Sequence, residues 1–173
     1  MQARSSGEAA AFNLGALALL GSIASILAAY GFQYIGGYIP CELCYLQRVP
    51  HYIAIPGVFA TLVVLSAGYP RAAAALFFLF ALVFLSNAGI GVYQAGAEWK
   101  FWPGPTTCSG EQAIATKAGG LLNDLKTTNV VRCDVAQLRI FGLSFAGWNV
   151  VVSLVLFAFA LKAAFRSAHS KSP

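Results

Sequence analysis

Charged residues are scarce in this chain. Asp, Glu, Lys and Arg make up only 10% of its 173 residues, whereas 58% are hydrophobic. Soluble domains usually carry about 25% charged residues. The deficit excludes an ordinary soluble domain and indicates that most of the chain is surrounded by lipid. The length allows one compact domain, covering residues 1–173.

Runs of basic residues are also missing. The formal net charge is +5, but the Lys and Arg residues are scattered along the chain. No cluster of them suggests a groove that could bind nucleic acid. We therefore expect no nucleic-acid partner and interpret the basic residues as anchors that flank membrane spans.

The chain has only four cysteines, and none of them lies within an apolar stretch. The four cysteines are Cys41, Cys44, Cys108 and Cys133. Cysteines in membrane proteins that serve only as small hydrophobic residues are expected inside the spans. An even number outside them indicates two redox-active or structural pairs in an oxidising compartment.

Four apolar segments are long enough to cross a bilayer, which takes roughly 20 residues. They predict an all-α membrane protein, a bundle of four transmembrane helices at about 14–35, 45–65, 72–93 and 143–161. A polar loop, 94–142, precedes the last span. The first segment could instead be a cleaved signal peptide, but it exceeds the usual apolar core of about 7–15 residues. Only Arg4 precedes it, so we favour a span.

The second span is the least regular. Residues 51–65 alone are too short to cross a bilayer, so we expect the helix to begin near Cys44 or Tyr45. Pro50 and Pro56 then fall inside it and remove backbone donors. Such breaks are tolerated where neighbouring helices satisfy the freed carbonyl groups. Asn87 is the one strongly polar residue of the third span, and we expect it to face other helices.

An even number of spans places both termini on one side of the membrane and all four cysteines on the other. The distribution of Lys and Arg between the two sides is equivocal. Thiol chemistry decides the orientation instead. Stable disulfides belong outside the cytoplasm, so we expect cytoplasmic termini and cysteines that face the periplasm.

The polar loop has a predicted order of its own. Trp99, Phe101 and Trp102 follow the third span at once, as aromatic residues do at the level of lipid headgroups. Apolar residues at helical spacing over 114–125 predict a short helix. This helix could lie on the membrane surface or pack against other parts of the loop.

The pair Cys41 and Cys44 is suited to disulfide exchange, which needs a thiolate and an accessible sulphur. At a helix N-terminus, free backbone N–H groups favour the thiolate. Arg48 lies four residues after Cys44, and Arg remains charged at any relevant pH. One hypothesis is that Cys44 is the reactive thiolate and that Arg48 stabilises it or the oxygen of an electron acceptor. The other is that Arg48 only extends to the headgroups.

Cys108 and Cys133 are far apart in the polar loop. On spacing alone they predict a structural disulfide, which would contribute roughly 3 kcal/mol of stability. A second pair in the same compartment as a Cys-x-x-Cys pair also allows a relay of electrons by exchange. A zinc site is disfavoured because it usually has two close pairs, so we expect no metal. His51 is assigned a packing or interfacial role.

These motifs follow one another in a specific order. They are Cys41-Glu42-Leu43-Cys44, Gln47-Arg48, Phe101-Trp102-Pro103-Gly104-Pro105-Thr106-Thr107-Cys108, Cys133, Phe141-Gly142-Leu143-Ser144 and Trp148-Asn149. In this order, and with four spans, the chain resembles the DsbB family of bacterial inner-membrane oxidoreductases that generate disulfides and reduce quinone. The resemblance covers nearly the whole chain.

The resemblance implies a mechanism and partners. A reduced periplasmic thiol oxidase of the DsbA type would attack the Cys108–Cys133 disulfide at Cys108. Electrons would pass to Cys41–Cys44, and Cys44 would pass them to a bound quinone, either ubiquinone or menaquinone. Arg48 would line the quinone site, with Gln47 beside it. A loop helix lying along the membrane also agrees with this family.

One departure from the family concerns the end of the third span. Many relatives carry a His near the position that Gln94 occupies here. Unlike His, Gln94 can form hydrogen bonds but cannot titrate. Whether Gln94 or Glu98 takes part in proton transfer stays open. Three other functions also stay open: a conduit that exports reducing electrons, a membrane adaptor with two structural disulfides, and a relative of the family that serves one dedicated partner.

Overall fold

The computed structural model describes residues 6–104 and 133–170. Four long helices account for most of them: α1 (Ser6–Tyr30), α2 (Glu42–Ser66), α3 (Pro70–Glu98) and α4 (Phe145–Ala168). Each is long and apolar enough to cross a membrane. The predicted all-α class with four such helices is confirmed.

The helices form a closed bundle in which each packs against two neighbours. α1 contacts α2 and α4, while α3 contacts α2 and α4. The start of α1 and the end of α4 lie side by side, because Ser170 Oγ donates a hydrogen bond of 3.0 Å to Glu8 Oε1. Both ends of the described chain therefore lie at one end of the bundle, and Cys41 lies at the other.

Small residues let the helices approach closely. Ala54, Ala73, Ala81 and Ala160 are fully buried in the core, together with larger residues such as Phe84. Close packing of this kind drives helix association in lipid, where the hydrophobic effect between helices is absent. Large apolar side chains face outwards instead, as expected of a surface that lipid covers; examples are Leu20, Leu27, Phe59 and Val63.

The chain between α1 and α2 positions the first cysteine pair. α1 continues as one π-helical segment, Gly31–Ile35, and Gly37 then turns the chain with a φ of 70°. α2 begins at Glu42, with Cys41 as its N-cap. The helix therefore begins earlier than the predicted start near Cys44 or Tyr45. A side-chain acceptor at Cys41 satisfies an N–H of the first turn and makes this early start favourable.

α2 continues without interruption through Pro50 and Pro56. α3 also extends beyond its predicted span and ends at Glu98. Gln94 and Glu98, which were expected in the polar loop, are therefore helical. The apolar pattern does not predict these last turns of α3, because a helix that leaves the bilayer can carry polar residues at its end.

A short antiparallel hairpin leads into the last helix. Strands β1 (Arg139–Ile140) and β2 (Leu143–Ser144) pair with each other, and Ser144 caps α4 by accepting from the N–H of Gly147 at 3.2 Å. Cys108 and the predicted loop helix, 114–125, lie outside the described residues.

Aromatic side chains cluster just after α3. The Trp99 and Phe101 rings meet edge to face with centroids 5.9 Å apart. Trp102 packs over Gly96, where any Cβ would meet its ring, and its Nε1 donates to the carbonyl of Tyr93 at 2.9 Å. All three aromatic side chains are exposed, which suits the predicted headgroup position.

Candidate functional site: a buried dithiol beside an apolar cavity

The site is built on the first turn of α2. Cys41 has extended backbone angles, and its Sγ accepts from the N–H of Cys44 at 3.4 Å. The Sγ atoms of Cys41 and Cys44 are 2.7 Å apart and share a hydrogen bond. Cys41 is buried, whereas Cys44 is partly exposed. Both are free cysteines, and their sulphurs are close enough for exchange chemistry.

The environment of Cys41 keeps its proton in place. The hydrogen bond with Cys44, together with burial, raises the pKa of the Cys41 thiol well above its ordinary value. Both causes disfavour a negative charge on this sulphur. Cys41 therefore loses its proton only at a higher pH than an ordinary thiol does.

Cys133 packs against Cys41. The two are buried together in one cluster, with 5% and 1% of their surfaces exposed, and Leu43 and Cys44 pack against them. Cys133 is disulfide-bonded. The structure therefore brings one cysteine of the loop pair into contact with the first cysteine of the helical pair.

Two polar contacts hold the segment around Cys133 in place. Lys100, just after α3, forms an ion pair of 2.7 Å with Asp134 Oδ2 and also donates to the carbonyl of Asp134 at 3.0 Å. Gln137 Nε2 donates to the carbonyl of Ile39 at 2.6 Å. The segment is thus tied both to the end of α3 and to the residues that precede Cys41.

Gln94 is the residue of α3 that meets both sulphurs. Its Nε2 lies 3.5 Å from the Sγ of Cys41 and 3.5 Å from that of Cys44. Its Oε1 accepts from Gln47 Nε2 at 2.6 Å, and Nε2 also approaches Glu98 Oε1 at 3.4 Å. From the sequence, Gln94 is expected to form hydrogen bonds, with its part in proton transfer left open, and its contact with the two sulphurs is not predicted. A polar residue near the end of an apolar helix was the one available signal.

Arg48 is buried one helical turn after Cys44 on α2. Its Nη1 donates to Gln33 Oε1 at 2.7 Å, and its guanidinium lies over the rings of Tyr30 and Tyr45, 5.4 Å and 5.2 Å from their centroids. Gln33 belongs to the π-helical segment that follows α1. Such segments often occur at functional sites. Among the described residues, the side chains that hydrogen-bond to Cys44 Sγ are those of Cys41 and Gln94, so stabilisation of a thiolate by Arg48 stays a prediction.

A cavity of about 230 Å³ opens beside the dithiol. Its wall is mostly apolar, with side chains from all four helices and from the segment after Cys133; α3 contributes Gln94 and Glu98. The few polar groups include Cys44, Gln47, Arg48 and His51. The predicted cofactor residues therefore share one cavity, although Gln47 is mainly engaged with Gln94. Mostly apolar walls with a few fixed polar groups are typical of ligand sites.

A buried polar cluster lies in the helices beneath this cavity. Asn87 Nδ2 of α3 contacts His51 Nε2 at 3.3 Å, Asn149 Oδ1 at 3.4 Å and Ser153 Oγ at 3.0 Å. Asn87 is fully buried, and the prediction that it faces other helices is confirmed. Within the described residues, three atoms of this cluster are buried without a hydrogen-bond partner: His51 Nδ1, Asn149 Nδ2 and Asn87 Oδ1.

A bundle of four apolar helices that holds a dithiol against a disulfide-bonded cysteine defines a multi-pass membrane protein with the geometry of a thiol–disulfide oxidoreductase. Among protein families, the model described as "Disulfide bond formation protein DsbB" matches residues 12–163. The chain belongs to this family, and its activity is disulfide bond formation. No curated protein and no solved structure matches the chain.

Proposed function

We propose that the protein reoxidises a periplasmic thiol oxidase of the DsbA type and passes the electrons to membrane quinone, either ubiquinone or menaquinone. The observation that carries this proposal is the position of Cys41. It is buried in one cluster with Cys133 and its Sγ lies 2.7 Å from that of Cys44, and Cys44 lines the apolar cavity. A continuous route of sulphur atoms thus runs from the loop pair to the cavity.

The exchange steps balance along this route. A dithiol of the partner attacks the Cys108–Cys133 disulfide; the partner becomes a disulfide, and Cys108 and Cys133 become thiols. Cys133, as a thiolate, then attacks Cys41 of an oxidised Cys41–Cys44 pair and releases Cys44. Attack by Cys108 on Cys133 re-forms the loop disulfide and leaves Cys41 and Cys44 as two thiols.

The cavity fits the ring of a quinone. A quinone accepts two electrons and two protons when it is reduced. Cys41 and Cys44 release the same number of each when they form a disulfide. The volume of about 230 Å³ is below the range of about 300–1,000 Å³ that drug-sized ligands occupy. It suits a single ring whose apolar tail leaves between the helices into lipid.

The residues of the chain have separate roles at this site. Gln94 donates towards both sulphurs and favours negative charge on them during exchange. Arg48 supplies positive charge to the cavity wall and is held in position by Gln33 and two tyrosine rings. Burial of Cys41 and Cys133 excludes water and external thiols from the sulphur atoms between which the exchange takes place.

We further propose that the termini are cytoplasmic and that the cysteines face the periplasm in the bacterial inner membrane. Disulfide exchange with a secreted oxidase requires this orientation. The exposed Lys100 and Trp99 at the dithiol end would then mark the periplasmic headgroup region. Labelling of Lys100→Cys, placed in a chain whose other four cysteines are Ser, by a maleimide that cannot cross membranes tests this orientation. Labelling only after the membrane is opened would contradict it.

The relay is tested with purified protein in detergent. Reduced DsbA-type oxidase and a soluble ubiquinone analogue are added, and quinone absorbance is followed, with Cys44→Ser and Cys108→Ser as controls. We expect catalytic loss of quinone that needs both cysteines. If neither ubiquinone nor menaquinone is reduced while Cys41–Cys44 still exchanges with thiols, the quinone function is wrong, and export of reducing electrons becomes the better hypothesis.

A further inference from the structure

His51 provides a polar group in the cavity that the proposed relay does not use. Its side chain is only 2% exposed, lies among the helices of an apolar bundle and lines the cavity that also contains Cys44. A buried polar atom without a partner costs roughly 1–3 kcal/mol. His51 Nδ1 is such an atom within the described residues, so a simple packing role does not account for it.

The contact with Asn87 determines which nitrogen of His51 carries the proton. The Asn87 amide directs its NH₂ group to three atoms, and one of them, Asn149 Oδ1, can only accept. His51 Nε2 lies 3.3 Å from the same NH₂ group, and a hydrogen on Nε2 would face this donor, so with the amides in this orientation Nε2 is the acceptor. In a neutral imidazole the other nitrogen then carries the hydrogen. His51 thus has an N–H donor at Nδ1.

Asn149 contributes a second donor beside the first. It also lines the cavity, and its Oδ1 is occupied by Asn87. Its Nδ2 is buried and without a partner within the described chain. Because His51 and Asn149 contact the same Asn87 amide, their side chains lie next to each other. Two neighbouring donors that lack acceptors are complementary to a ligand oxygen that carries only lone pairs.

We propose that His51 Nδ1 and Asn149 Nδ2 donate hydrogen bonds to one carbonyl oxygen of the quinone and thereby position its ring in the cavity. This inference rests on the proposed function. Asn87 acts as a positioning residue, because its contacts hold both donors in place. Asn87 itself does not line the cavity. Arg48 has other partners, namely Gln33 and the two tyrosine rings, so the donor pair is a separate point of recognition.

Binding can be measured without turnover. Purified full-length protein in detergent, with no reduced oxidase present, is titrated with a short-chain ubiquinone. Trp148 lines the cavity, so quenching of tryptophan fluorescence reports occupancy. A lost hydrogen bond of ordinary strength lowers affinity roughly three- to tenfold. We expect a loss of that size for His51→Leu and, separately, for Asn149→Leu.

Ser153→Ala is the matched control. It removes one contact of the same Asn87 amide, but Ser153 is not part of the cavity wall. We expect its quinone affinity to stay within about twofold of the unsubstituted protein, since neither cavity donor is removed. Melting temperatures of the three variants show which of them fold. If His51→Leu does not fold, Asn149→Leu carries the test.

Two measurements on the unsubstituted protein add a readout that is independent of folding. The first compares the quinone with the dimethyl ether of the corresponding hydroquinone, which keeps the ring but has no carbonyl groups. We expect the ether to bind roughly tenfold more weakly or worse, because its methylated oxygens are weak and shielded acceptors for the two donors. The second is the infrared carbonyl stretch of bound quinone. We expect one carbonyl band at lowered frequency and its return towards the free value in His51→Leu.

The outcomes separate this inference from the proposed function. If the unsubstituted protein binds quinone but both Leu variants bind it equally well, or the carbonyl band does not move, the donor pair is not a quinone site although the relay function stands. If the unsubstituted protein binds neither ubiquinone nor menaquinone, the proposed function and this inference are both overturned.

Discussion

Gln47 and Gln94 join α2 to α3 directly behind the dithiol, with Gln47 Nε2 donating to Gln94 Oε1 over 2.6 Å. Because an amide has one oxygen and one NH₂ group, this bond turns the NH₂ group of Gln94 towards the sulphurs of Cys41 and Cys44. The two glutamines therefore act together, one as the donor to sulphur and the other as the group that orients it.

Gln94→Leu removes the side-chain donor shared by the two sulphurs. We expect alkylation of the reduced Cys41–Cys44 pair by iodoacetamide at neutral pH to slow roughly three- to tenfold, since a thiolate loses one stabilising hydrogen bond. Gln47→Leu leaves the donor present but free to turn, so its effect is expected to be smaller. Equal rates in Gln94→Leu and the unsubstituted protein would show that the amide has no influence on sulphur reactivity.

The reactivity of Cys41 should depend on Cys44. The hydrogen bond with Cys44 is the largest cause that raises the pKa of Cys41, and burial is the next. A raised pKa means that the thiolate forms only at higher pH. In Cys44→Ala the largest cause is gone, so alkylation of Cys41 should begin at lower pH than it does in the intact pair. Mass spectrometry after alkylation over a pH series measures this, and an unchanged pH profile would contradict it.

Lys100→Met should slow exchange between the two cysteine pairs. In a Cys44→Ser background, the Cys41 thiolate can attack Cys133 of the Cys108–Cys133 disulfide, which breaks that bond, releases Cys108 as a thiol and forms a Cys41–Cys133 disulfide that mass spectrometry detects. The Lys100–Asp134 ion pair is exposed on the Lys100 side, and such pairs contribute up to about 1 kcal/mol. We therefore expect a decrease of no more than about fivefold in the rate of disulfide formation.

Lys100→Arg keeps the charge and serves as the control for this prediction. Its rate should lie between those of Lys100→Met and the parent. A rate in Lys100→Met equal to or faster than that of the parent would mean that the ion pair does not position the segment around Cys133.

Gly57→Ala should destabilise the bundle. A Cβ at this position would enter the ring of Phe80, and forcing additional atoms into a packed core typically costs about 1–3 kcal/mol. Gly89→Ala is the matched control, because nothing lies within 4 Å of the added carbon. The control should be neutral or stabilising by about 0.5–1 kcal/mol, since Gly weakens a helix interior. Thermal unfolding in detergent gives the comparison, and equal melting temperatures would refute it.

Arg48→Lys should weaken the use of quinone although the charge is kept. Lys cannot place a planar group over Tyr30 and Tyr45 while it also donates to Gln33. We expect a roughly three- to tenfold higher KM for quinone, the loss that one hydrogen bond of ordinary strength produces, with exchange at Cys108–Cys133 unaffected. A KM equal to that of the unsubstituted protein would assign Arg48 a structural role only.

The sequence predicts the four helices because each is a long apolar segment with few charges, a pattern that depends on local composition alone. It also predicts that Asn87 faces other helices, since a buried amide needs partners. The pairing of Cys41 with Cys44 follows from spacing. The presence of Cys133 beside Cys41 could be expected only through the resemblance to a family, because contacts between distant segments leave no local pattern.

Other features of the site could not be predicted from local pattern. The start of α2 at Glu42 depends on the Sγ of Cys41 acting as a cap, and Cys is not among the usual capping residues. The sequence predicts a packing or interfacial role for His51, because a single His beside a Pro carries no signal of its own. The polar cluster around His51 is visible only in the folded bundle, where Asn87 of α3 and Asn149 of α4 lie beside it.

The position of Asn87 also bears on how the bundle assembles. Its side chain reaches partners on α2 and α4 at once, and only one rotation of α3 about its own axis allows this. Apolar surfaces in lipid discriminate weakly between rotations, whereas an amide turned towards hydrocarbon loses all its partners. A single residue in the middle of the membrane can thus select one packing arrangement of inserted helices, and the same choice places Gln94, two turns further along α3, against the cysteines.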